Sequence, residues 1–70
     1  MTNLKRIRTG KQISRIELSE KSGVNLRMIQ YYEQGYKDIN KIQGITLYKL
    51  SQVLKCNMAD LLELKKEVGE

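Results

Sequence analysis

The segment at residues 14–35, SRIELSEKSGVNLRMIQYYEQG, carries two helix starts and two helix stops in close succession. Ser14 and Glu17 have the spacing of an S-x-x-E capping box, in which the serine oxygen accepts from an early helix N–H while the glutamate reaches back. Ile13 and Leu18 flank that cap at the separation of a hydrophobic staple. Asn25 is a good N-cap for a second helix, with Val24 and Ile29 at the same staple spacing. Gly23 falls where a residue of positive φ ends the first helix, a conformation open to glycine because it has no Cβ. The spacing predicts helices over 15–22 and 26–34. Two capped helices joined by so short a turn must cross steeply.

That arrangement is the helix-turn-helix unit, here at about 14–35. Its second helix can stand clear of the domain and enter a DNA groove. Helical periodicity places Ile29, Tyr32 and Glu33 on one side with Asn25. Arg27, Gln30, Tyr31 and Gln34 lie on the other, with Leu26 and Met28 on the flanks. The outer set suits base edges: arginine can bond guanine bidentately, glutamine can do so for adenine, and Leu26 can touch a thymine methyl. A solvated polar face has the same composition, so the surroundings must decide.

Charge and composition narrow the alternatives. Residues 1–34 hold seven of the thirteen basic side chains against three of the eight acidic ones, so +4 of the net +5 lies in the half with the motif. A polyanion-binding surface requires that bias. Seventy residues without proline and with only five glycines favour a single all-α domain over 1–70. A chain this short buries only about 60% of its unfolded surface, which leaves little scope for a deep catalytic cleft. One cysteine and no histidine argue against a disulfide framework, a metal site and any nucleophile–base pair. The expectation is a non-enzymatic cytoplasmic protein with no cofactor, no small-molecule ligand and no membrane segment. Cys56, Met28 and Met58 read as core fillers.

The remaining pattern predicts a compact five-helix bundle. A first helix over about 2–10 turns Leu4 and Ile7 inward. A fourth begins after Asn40, which has capping-box spacing to Gln43, and runs to about residue 54 with Leu47, Leu50 and Leu54 at helical intervals. Gly44 inside it is expected to cost about 1 kcal/mol relative to alanine. A fifth is capped by Asn57 and runs through Leu61, Leu62 and Leu64 to Lys65 and Lys66, with Val68 to Glu70 frayed. Tyr36 and Tyr48 are expected to cover the junction between the third and fourth helices. Leu61, Leu62, Leu64 and Val68 either complete the core or form an apolar strip that pairs two subunits.

Residues 14–35 resemble the Cro/repressor (Xre-type) helix-turn-helix family, whose pattern runs S-Q-x-x-L-A-x-x-x-G-V-S-x-x-x-I-x-x-x-E-x-G. Ser14, Leu18, Gly23, Val24, Ile29, Glu33 and Gly35 match it in register. LYKLSQVLKCNMADLL, at 47–62, is similar to the family's closing helices. The resemblance implies a domain that binds operator DNA, usually as a symmetric homodimer, and probes bases with Leu26, Arg27, Gln30 and Tyr31. It implies backbone contacts by Arg8, Ser14, Arg15, Asn25, Lys37, Asn40 and Lys41, and an architectural ion pair between Arg8 and Glu33. Ser19 stands where the family commonly has alanine. The Gly35–Leu47 connection is longer than the common pattern and is similar to a branch with a D-I-N-K element, here Asp38-Ile39-Asn40-Lys41. The YYE of Tyr31-Tyr32-Glu33 is also similar to MerR-type regulators, but those begin with the motif and continue into a wing. The expected function is a sequence-specific DNA-binding repressor. The competing class is an antitoxin-like protein-interaction module on the same fold.

Overall fold

Among the described residues, three of the four α-helices start where a side chain takes over an N–H that the helix leaves unbonded. The computed structural model describes residues 1–64. In it Thr2 Oγ1 accepts from the Lys5 N–H to open α1 (Asn3–Gly10), and Ser14 Oγ accepts from Glu17 N–H at 3.0 Å to open α2 (Arg15–Ser22). Asn25 Oδ1 accepts from Arg27 N–H at 2.8 Å to open α3 (Leu26–Gln34). The Glu17 carboxylate does not complete a capping box; it pairs with Lys21 one turn on, at 3.0 Å. Both middle helices end on glycines in the left-handed region, Gly23 at φ 77° and Gly35 at φ 84°.

The second half departs from the five-helix expectation: among the described residues there are four α-helices and two 3-10 turns. Residues Ile39–Lys41 form a single 3-10 turn capped by Asp38, whose Oδ1 accepts from Asn40 N–H at 2.9 Å. Asn40 therefore lies inside a turn and caps nothing. Ile42 is extended, and α4 (Gly44–Leu54) starts four residues later than Asn40, without a side-chain cap. Gly44 is thus a first-turn residue, where the interior glycine penalty does not arise.

The fifth helix is likewise a 3-10 turn, Met58–Leu61, with Asp60 accepting from the Asn57 N–H. Its continuation is blocked because the next backbone groups are bound elsewhere. Asn3 Nδ2 donates to the Leu62 carbonyl at 2.8 Å, and the Asn3 N–H donates to the Glu63 carboxylate. The Asn40 amide both accepts from Glu63 N–H at 2.9 Å and donates to its carbonyl at 3.0 Å. Leu61 is fully buried while Leu64 is exposed. Lys65, Lys66 and Val68 to Glu70 lie outside the described residues.

The core is one cluster. Leu4, Leu18 and Ile29 of the first three helices meet Leu47, Leu50 and Leu54 of α4, and Leu61 closes the bottom. Met28, Cys56 and Met58 pack against it from the periphery. α2 packs on both α3 and α4, so the motif is held from behind by the longest helix. Among the described residues no helix is long and apolar enough to cross a membrane.

Lys55 ends α4 in the same left-handed region as the two glycines, at φ 54° and ψ 49°. A Cβ there costs about 1–2 kcal/mol. Lys55→Gly is expected to raise stability by about 0.5–1 kcal/mol after glycine's own chain entropy is deducted. Gly23→Ala is expected to lower it by about 1–2 kcal/mol; no atom lies within 4 Å of the added Cβ, so the loss is one of backbone conformation alone. Urea midpoints at unchanged m-value measure both.

Candidate nucleic-acid interface

The turn between α2 and α3 is fixed by short side chains bonding to backbone. Ser19 Oγ donates to the Val24 carbonyl at 2.6 Å, and the Val24 N–H donates to Ser22 Oγ at 3.1 Å. Ser19 thus braces the turn. Val24 itself is buried. With Gly23 turning the chain and Asn25 capping the next helix, the direction of α3 is set by local bonds.

On α3 the buried residues are Ile29, Tyr32 and Glu33. Arg27 and Gln34 are exposed on the opposite side, and Leu26, Gln30 and Tyr31 are half-buried between them. Tyr31 is not isolated: its ring meets that of Tyr36 edge-on, with centroids 6.0 Å apart and planes at 72°. Tyr36 is 75% exposed and Tyr48 is also exposed, so neither seals the helix junction. Gly35, left-handed at the end of α3, turns the chain immediately before Tyr36, which accounts for the exposure of that ring; Tyr48 lies on an exposed face of α4.

Glu33 is the electrostatic anchor. Its carboxylate accepts from Arg8 Nε at 2.6 Å and from the second Arg8 terminal nitrogen at 3.1 Å, a two-pronged pair with no side-chain exposure at the glutamate. The remaining Arg8 nitrogen donates to the Ile13 carbonyl at 2.8 Å. All three guanidinium nitrogens of Arg8 are therefore bound within the protein, and the residue is buried. Arg15 Nε also donates to Glu33, at 2.9 Å, but its side chain stays 30% exposed. The spacing of residues 8, 15 and 33 gives no sign of this shared carboxylate.

Ser14 and Asn25 sit exposed at the starts of α2 and α3, and Lys37 and Lys41 are exposed beyond α3. Asn40 is exposed too, but its amide is occupied by Glu63. Two open notches border the outer face of α3. One, of about 370 Å³, is lined by Arg8, Ser14, Arg15, Ile16, Leu26 and Gln30; the other, also about 370 Å³, by Asn25, Leu26, Arg27 and Gln30. The described residues hold no cluster of three metal-ligating side chains.

Cys56 borders a separate depression of about 620 Å³ at the end of α4. Burial pushes its thiol above the ordinary value, Asp60 adds to the rise and Lys11 opposes it. The thiolate is the reactive form, so Cys56 is expected to alkylate slowly at neutral pH and rapidly once urea unfolds the chain.

Residues 4–61 match the family model described as helix-turn-helix. No curated protein and no solved structure gives a significant match.

The Arg8–Glu33–Arg15 geometry separates two substitutions that look alike on paper. Glu33→Gln leaves Arg8 buried without its counter-charge and is expected to cost about 3–5 kcal/mol. Arg15→Ala leaves the Arg8 pair intact and is expected to cost no more than about 1 kcal/mol. Chemical denaturation of the two variants tests the ranking; equal losses would refute it.

Proposed function

The chain belongs to the Cro/repressor (Xre-type) helix-turn-helix family, a family of DNA-binding regulators, and from that membership we propose that it is a sequence-specific transcriptional repressor that reads operator DNA through α3. The observation that carries this reading is the division of α3 into two faces. Its inner face is pinned by Ile29, Tyr32 and Glu33, which two arginines hold, while on the other side Arg27 is exposed and Gln30 half-buried.

In this reading Arg27 and Gln30 address base edges in the major groove, with Leu26 and Tyr31 supplying apolar contact. Ser14, Asn25, Lys37 and Lys41 address the phosphates on either side. Arg15 joins them, because only its Nε is engaged with Glu33. Arg8 and Asn40 take structural roles: the first orients Glu33, the second holds Glu63. Phosphate contacts set register and base contacts set sequence, so the two groups have separable effects.

Family resemblance further suggests a symmetric homodimer on a palindromic site, acting in the cytoplasm. Of the four side chains of the strip that could pair two subunits, Leu61 is buried in the core, Leu62 is half-buried and Leu64 is exposed, while Val68 lies outside the described residues.

Selection of bound duplexes from a random pool at fixed salt is expected to yield a defined sequence. Against that sequence Arg27→Ala is expected to relax preference at one base pair, at about 1–3 kcal/mol of lost discrimination. Lys37→Ala is expected to weaken binding to every duplex alike and to lower the log–log salt slope by about 0.9 per protomer. Uniform loss for both variants would refute the division of labour.

A further inference from the structure

In the notch lined by Ile16, Leu26 and Gln30, apolar side chains of two helices border the same open space. Ile16, in the first turn of α2, is 59% exposed. Across about 370 Å³ of open space stands Leu26, the first residue of α3. Ser14, Arg15 and Gln30 form the polar surround, and Gln30 and Leu26 also border the neighbouring notch beside Arg27.

A phosphate has no use for such walls, since it is bound by N–H groups and cations. Water gains nothing from them either. The major-groove edge of DNA offers one apolar group, the C5-methyl of thymine. The surround of the notch matches that base pair: glutamine is the side chain that bonds the N6 and N7 of adenine, thymine's partner. Arg15 and the exposed Arg27 supply positive charge on its two sides.

Resting on the proposed reading of α3, we infer that Ile16 and Leu26 together form a thymine-methyl site, with Gln30 addressing an adenine of the same or the adjacent base pair. Ile16 then becomes a specificity residue although it lies on α2, outside the recognition helix. Apolar burial by two walls gives the methyl more contact than a single leucine on α3 provides.

The test uses the sequence selected by the wild-type chain. Each thymine in it is replaced, one at a time, by deoxyuridine, which removes the methyl and leaves base pairing intact. At one position per half-site wild-type affinity is expected to fall about fourfold, the value of one buried methyl-sized group. Ile16→Ala and Leu26→Ala are each expected to bind the thymine duplex more weakly and to lose most of that discrimination. Because Ile16 is largely solvent-exposed, Ile16→Ala is expected to keep the wild-type urea midpoint, which separates a binding effect from an unfolding one. Indifference of the wild type to every deoxyuridine, or full discrimination retained by both variants, overturns the notch. A wild-type chain that selects no sequence overturns the premise as well, and is told apart because the selection itself then fails.

Discussion

One carboxylate organises this domain. Glu33 projects from the inner face of α3 into a site with no solvent exposure and accepts from arginines of two other helices. An isolated carboxylate could not stay ionised in such a place. The forked Arg8 guanidinium, itself tied to the Ile13 carbonyl, supplies the countercharge that makes the burial possible. The result is that α1, the start of α2 and the far half of α3 share one electrostatic knot. The triad keeps a net positive charge, so the knot also favours an approaching polyanion.

The outward face of α3 follows from that knot together with the bracing of the turn. Glu33 fixes the rotation of the helix about its axis, and the Ser19, Ser22 and Asn25 bonds fix its direction. In the proposed reading of α3, rotation and direction are settled before DNA is met, and every degree of freedom frozen beforehand is one that binding need not order. The rigid frame and the exposed polar face are therefore two aspects of one construction.

The parts of this fold legible in the sequence are those built from bonds a few residues long. Helices α2 and α3 lie where Ser14, Gly23 and Asn25 place them, because capping and glycine signals act within one turn. The inner face of α3 was legible for the same reason, through helical periodicity. Asn40 shows the limit. Its spacing to Gln43 mimics a capping box, but its amide is claimed by Glu63, twenty-three residues away. The turn at Met58–Leu61 stops for a similar reason, as Asn3 captures the Leu62 carbonyl. Periodicity cannot announce such bonds. The double engagement of Glu33 and the exposure of Ile16 and Tyr36 were hidden likewise, since each depends on how separate helices meet.

The asparagine clasp has a consequence for how the domain comes apart. Asn3 joins the first helix to backbone about sixty residues later, the longest loop closure in the described chain. Such a closure is entropically costly until the intervening helices have assembled, which favours its formation late in folding. Opening there frees residues 62–63, which the Glu33 knot and the braced turn do not involve. Amide protons of the closing segment should therefore exchange with solvent through a shallow, partial excursion, and those of α3 only when the whole domain unravels.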